Sequence, residues 1–245
     1  MRPGTRLALF VPAAGVLAVA FGAAALRLPA FGGDRHPYGA RAVAAALAHR
    51  TANAVSSVNF DQRAFDTLGE ESILFASVLG ATLLLRLARD EHRRRPAPGR
   101  VLSGTRLLGA ALLPFALLTG GYVVAHGALS PGGGFQGGVV LATGLHLAYV
   151  AADYRALRRL RPLAVLDVAD GLAAGAFAAL GLAGLAAGGA YLQNVLPLGT
   201  FGTLASSGLV AVVNAVVGVE VACGVVVLLA HFLEQAVETA EKDGH

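Results

Sequence analysis

Long runs of apolar residues, separated by short polar segments, dominate the chain. They cover residues 7–26, 64–87, 107–125, 138–152, 163–192 and 209–232. An α-helix rises about 1.5 Å per residue and the hydrocarbon core of a bilayer is about 30 Å thick, so a run of roughly 20 apolar residues spans it. The pattern therefore predicts an all-α integral membrane protein of about six transmembrane helices. The first run follows Arg2 and Arg6 but lacks the polar cleavage region of a signal peptide, and is read as a retained helix.

The polar positions orient these helices. Arg2 and Arg6 precede the first run. Arg86, Arg89, Arg93, Arg94, Arg95, Arg100 and Arg106 fill the second connection, Arg155, Arg158, Arg159 and Arg161 the fourth, and Lys242 lies near the end. The connections at 126–137 and 193–207 carry no Lys or Arg. Basic loops resist translocation, so both termini are expected in the cytoplasm. The segment 27–63 then falls outside, where Ala, Val and Leu at helical spacing over 38–57 predict a short amphipathic helix on the outer surface. The stretch 93–103, rich in Arg, Pro and Gly, reads as a cytoplasmic linker between two membrane modules, residues 1–92 and 104–240.

Composition sharpens this picture and excludes a soluble enzyme. Of 245 residues, 56% are hydrophobic and only 14% charged, with a mean hydropathy of +0.65. That is too little charge to cover a water-facing surface. The 32 glycines suit closely packed membrane helices. The net charge of +4 is explained by orientation signals, so no nucleic-acid partner is expected. Cys223 stands alone, which rules out an intrachain disulfide and a multi-cysteine metal site.

Chemistry is expected where polar residues interrupt the runs. Glu220 lies near the midpoint of the last one, where a carboxylate costs several kcal/mol unless neutralised or paired. It is either a functional group or a neutral carboxyl that bonds a neighbouring helix for assembly. Glu70 and Glu71 follow Phe65-Asp66-Thr67-Leu68-Gly69. Adjacent helical residues point about 100° apart, so only one faces a given partner, and Glu70 is chosen as the buried one. His146 is a candidate proton relay, its ordinary titration lying near neutrality, or else a hydrogen-bonded structural histidine. Asp167 and Asp170 open the fifth run beside the basic connection, where capping or ion pairing is the first account of them and a functional role the second.

Pro131, Gly132, Gly133, Gly134, Phe135, Gln136, Gly137 and Gly138 form a glycine-rich connection between the third and fourth runs. It lacks the Lys-Ser/Thr ending of a phosphate-binding loop and follows a helix, so it is not read as a nucleotide site. Its glycines permit close helix approach, with Phe135 and Gln136 the only sizeable side chains. No catalytic triad, metal-ligand cluster or cofactor motif stands out, so no cofactor and no resident metal are expected.

Three separated motifs carry a resemblance. Ser130-Pro-Gly-Gly-Gly-Phe-Gln-Gly-Gly, Leu196-Pro-Leu-Gly-Thr and Val217-Gly-Val-Glu-Val-Ala, in this order, resemble the MnhB/MrpB component of the Mrp/Mnh multisubunit cation/proton antiporters. The region around Asn53-Ala-Val-Ser-Ser-Val-Asn-Phe-Asp-Gln-Arg-Ala-Phe-Asp-Thr-Leu-Gly-Glu resembles the small domain that ends the large MnhA/MrpA component of the same antiporters. A related MnhB-like protein occurs in membrane-bound hydrogenases and other complex I-like assemblies. The resemblance implies a plasma-membrane protein, not itself an enzyme, whose partners are other antiporter subunits, monovalent cations such as Na⁺, protons and membrane lipid. By the same resemblance Glu70 and Glu220 match acidic motif positions, and Phe135 the aromatic of the glycine-rich segment.

Overall fold

The computed structural model describes residues 3–28, 36–85, 101–151 and 163–235. Every regular element among them is helical. In chain order these are α1 (Pro3–Leu26), α2 (Pro37–Ala48), α3 (Ala54–Ser57), a π-helical turn (Val58–Gln62), α4 (Ala64–Leu84), α5 (Ser103–Ala125), α6 (Gly134–Ala151), α7 (Leu163–Ala186) and α8 (Leu209–Gln235). Five of them are long and apolar enough to cross a membrane: α1, α4, α5, α7 and α8. The remaining expected span corresponds to α6, of 18 residues. The basic connections at 86–100 and 152–162, most of the 93–103 linker, and Lys242 lie outside the described residues.

Two compact units are present, Met1–Ala40 and Arg41–His245. In the first, α1 exposes almost all its side chains, Phe10, Val16, Val19 and Phe21 among them. A helix apolar all round suits lipid or a partner helix as its solvent. In the second unit α8 is the most buried of the long helices, with Val210, Val213, Val217 and Val221 fully enclosed. Helices α5 and α6 pack on one side of it and α4 and α7 on the other.

Three expected boundaries are corrected. The single amphipathic helix over 38–57 is broken: α2 ends at Ala48, Arg50 adopts a left-handed backbone (φ 55°), and Asn53 starts α3 by accepting from Val55 N and Ser56 N at 3.1 and 3.2 Å. That is the cap an asparagine favours. The fourth helix begins at Gly134 rather than 138, so Gly134 to Gly138 are helical and only Pro131 to Gly133 form the turn. The fifth stops at Ala186 instead of running to 192. Gly188 there takes φ 79° and the chain folds back, with Tyr191 donating from its hydroxyl to Ala178 O at 2.8 Å and Leu192 N to Gly181 O at 3.1 Å.

The glycine-rich segment starts a helix because its glycines let backbones touch. A Cβ at Gly134 would stand 2.3 Å from the Asn214 carbonyl oxygen, and one at Gly137 2.8 Å from that of Gly120. At Gly138 it would meet Val221 Cβ at 2.8 Å and Gly218 O at 2.9 Å. With no side chain between them, α5, α6 and α8 close to backbone contact, the usual way membrane helices gain packing where lipid supplies no hydrophobic drive. Gly132 and Gly133 take φ of 120° and 148°, which L side chains rarely adopt.

Candidate functional site among helices α4, α7 and α8

The glycine seam ends in a polar hub. Asn214 of α8 is buried; its Oδ1 accepts from Gly134 N at 2.9 Å, and its Nδ2 donates to Ser56 Oγ and Val210 O, each at 2.9 Å. One amide thus fixes the start of α6 and ties α3 to α8. Asn53 does the same for the loop before α6, its Nδ2 donating to Gly127 O and Ser130 O at 2.8 Å while its own N–H donates to Ala128 O at 3.0 Å. The polar residues ahead of α4 are also satisfied: Asp61 pairs with His49, Gln62 donates to Ala42 O and Ser57 Oγ, and Arg63 pairs with Asp66. Nothing in the sequence pattern marks these residues as a structural hub.

About 9 Å further along α8, six residues at about 1.5 Å each, stands Glu220. It is fully enclosed, and neither carboxyl oxygen has a hydrogen-bond partner among the described residues. On α4 the buried acid is Glu71, 3% exposed with Oε2 likewise unpartnered among the described residues. Glu70 is exposed on the surface of this chain, which corrects the choice between the two. The buried stripe of α4 is Ala64, Thr67, Glu71 and Val78, and the large apolar residues Phe65, Ile73, Leu79 and Leu83 face outward. That stripe includes 71 and leaves 70 on the other side.

Asp170 is the third acid and another correction. It is no cap: α7 has no acidic residue in its first turn, and Asp170 is 5% exposed, on a stripe with Ala173 and Phe177, while Asp167 stays outside. Its carboxylate lies over Gly224 of α8, where a Cβ would come within 3.2 Å of Oδ1 and 3.3 Å of Val78 Cγ2 of α4. Asp170 and Glu71 are both within electrostatic range of Glu220, and of each other. Three acids from three helices therefore converge on one side of α8. A sequence signal exists for two of them: Glu71 follows the small residues Ala64 and Thr67 at spacings of 3 and 4, and Asp170 is followed by Ala173 at a spacing of 3.

His146 is half-buried on α6, which packs against α5 and α8, so it stands on a different helix pair from the acids. Phe135 and Gln136 project outward from the first turn of α6. Of the sequence candidates, Glu220 alone lies in the acid cluster; its companions there are Glu71 and Asp170.

The fold and its interior define a polytopic all-helical membrane protein that keeps carboxyl groups inside its bundle. Residues 105–227, half of the chain, match the family described as a domain related to the MnhB subunit of Na⁺/H⁺ antiporter, and the protein belongs to that family. An uncharacterised protein of Methanocaldococcus jannaschii is 27% identical over 201 residues, covering 70% of this chain and 73% of that one. Among solved structures, a chain of the membrane-bound sulfane sulfur reductase, an archaeal respiratory membrane complex, is 28% identical with a TM-score of 0.72 over 94% of this chain and 98% of its own. A chain of the Mrp complex from Dietzia sp. DQ12-45-1b is 25% identical with a TM-score of 0.66, over 94% of this chain and 26% of its own.

Proposed function

We propose that this protein is a plasma-membrane component of a multisubunit monovalent cation (Na⁺)/proton antiporter, contributing both to assembly and to the ion path. The observation that carries the reading is Glu220, enclosed and unpartnered among the described residues, in the middle of the central helix of a chain of the MnhB family. A carboxyl at such a place normally marks an ion or proton pathway. Other subunits of the complex are its partners, and the larger of them carry the main pumping machinery. Both termini are cytoplasmic in this reading. Residues 1–92 form the module akin to the end of the MnhA component, and 104–240 the module akin to MnhB. Glu70, exposed here, and His146 remain candidates because a partner helix completes the path on the surfaces this chain leaves open.

Replacing Glu220 by Gln tests the proposal in everted vesicles that contain the whole complex. The expected result is an assembled complex that has lost its Na⁺-dependent pH change. An E220Q complex that assembles and exchanges ions at the parent rate would remove Glu220 from the path.

A second reading is favoured by the near end-to-end match to a chain of the sulfane sulfur reductase complex: here the protein serves the membrane arm of a redox-driven assembly. Purifying the complex through a tag on this chain separates the two. Redox subunits among the co-purified partners support the second reading, and antiporter subunits alone support the first.

A further inference from the structure

We propose that the outward face of α4 is a docking surface for a membrane helix of a different subunit, one that brings a Lys or Arg to Glu70. The proposal rests on the place given to this chain in a multisubunit complex. Glu70 stands six residues beyond the start of α4, about 9 Å along a helix long and apolar enough to cross a membrane. It is exposed, and among the described residues no Lys, Arg or His pairs with it. Its neighbour Glu71 adds only like charge. A carboxyl turned toward lipid at that depth is expensive and calls for a countercharge. The other exposed polar side chains of α4 are answered within the chain. Asp66 pairs with Arg63, and the Ser72 and Ser77 hydroxyls donate to Leu68 O and Ile73 O at 2.6 and 2.7 Å.

The same face is shaped for close approach. A Cβ at Gly69 or Gly80 would meet nothing within 4 Å, so packing within this chain requires a glycine at neither place. Glycine inside a helix is destabilising relative to alanine, and membrane helices use it where another backbone comes near. Open glycines alone decide nothing, since Gly171 of α7 is equally open. On α4 one of them adjoins a carboxyl that lacks a countercharge.

Charge identifies the occupant. Residues 7–26, 64–84, 107–125, 134–151, 163–186 and 209–235 contain no Lys or Arg. Neither α1 nor any span of a second copy of this chain therefore supplies such a cation at this depth. The histidines in these spans are His146 and His231, about 18 and 33 Å from the starts of α6 and α8. In the proposed orientation α4, α6 and α8 all run inward from the outer side, so both histidines lie well below the level of Glu70. The cation comes from another polypeptide. A Lys or Arg facing lipid on that helix is as costly as Glu70 is here, so each helix gains by finding the other.

The test uses the intact complex, purified through a tag on this chain, with the photocrosslinker p-benzoylphenylalanine in place of Ile73 or Ser77. Both positions are exposed, one and two turns beyond Glu70 on its side of α4. Mass spectrometry of the adducts is expected to find a helix of a different subunit that contains a Lys or Arg. Glu70→Lys should then lose the assembled complex on native gels, and a Glu in place of that Lys or Arg should restore it in the double variant. Glu70→Gln should lower the yield while the complex that forms keeps its turnover. Adducts to lipid alone, to α1, to a second copy or to a helix without Lys or Arg would overturn the proposal, as would no protein adduct from either position; this arm requires no change at Glu70. So would absence of rescue in the double variant. An E70Q complex assembled at the parent yield but without turnover would also overturn it, returning Glu70 to the ion path and leaving the proposed function standing. The expected adduct and charge rescue in a complex that exchanges no cations for protons would sink the proposed function while supporting the docking surface.

Discussion

Helix α8 has two working sides, and they are built on opposite terms. Toward α6 it meets backbone with backbone, through Gly134, Gly138 and Gly218, and its polar side chain there, Asn214, has partners for both its oxygen and its nitrogen. Toward α4 and α7 it keeps side chains between the helices, and its polar group Glu220 has no partner among the described residues. A satisfied polar group in a dry interior rigidifies, whereas an unsatisfied one is expensive to keep and persists only where something else is gained. The seam holds the helices at a fixed distance, and the acid side uses that rigidity to keep charge-bearing groups inside.

The contrast breaks most sharply at the seam. Placing Val at Gly134 would drive a side chain into the Asn214 carbonyl, and backbone cannot yield as a flexible side chain does. Overpacking typically costs about 1–3 kcal/mol and more where backbone must move. The expected outcome for Gly134→Val is loss of the assembled complex on native gels, with transport lost only because the complex is missing. Gly171, whose Cβ would meet nothing within 4 Å, serves as the control: Gly171→Ala should leave the yield unchanged.

Next in size is Asn214→Ala, which strands the Gly134 N–H and takes the amide from the Ser56 hydroxyl. Each buried group left unsatisfied costs about 1–3 kcal/mol. A lower thermal midpoint in detergent is expected, with the complex still recoverable at low temperature. Asn214→Asp keeps an acceptor for Gly134 N and should recover part of the loss. On the acid side the order of effects reverses. Glu71→Gln should leave the thermal midpoint near that of the parent, because the amide replaces a carboxyl whose Oε2 has no partner among the described residues, yet reduce proton movement. A large fall in stability with turnover per assembled complex unchanged would make Glu71 part of the scaffold and erase the difference between the two sides.

Much of this is legible in the amino-acid order. The apolar runs mark the spans because bilayer thickness leaves few other solutions, and Glu220 stands out because a carboxyl in such a run is rare. The choice of Glu70 over Glu71 fails because a 100° step cannot say which face looks inward. The small residues Ala64 and Thr67 on one side, and Phe65 and Ile73 on the other, decide that. Asp170 reads as a helix-end acid when the start of α7 is judged from the nearby arginines, although it lies seven residues inside that helix. Asn53 and Asn214 leave no local mark because their value is in contacts 74 to 158 residues away in sequence, which no local pattern encodes.

The smallest effect expected is at Gly224, and it probes the acid side by geometry alone. Its Cβ would sit 3.2 Å from Asp170 Oδ1 and 3.3 Å from Val78 Cγ2, tight enough to displace both by a few tenths of an ångström and no more. Gly→Ala also favours a helix by up to about 1 kcal/mol, which offsets the crowding. Gly224→Ala should therefore assemble with a thermal midpoint close to the parent's. Because the added methyl presses on the Asp170 carboxyl and leaves every titratable group in place, a partial loss of turnover would tie transport to the position of Asp170. Full turnover in this variant, together with full turnover in Asp170→Asn, would leave α7 a packing helix and confine the working acids to α4 and α8.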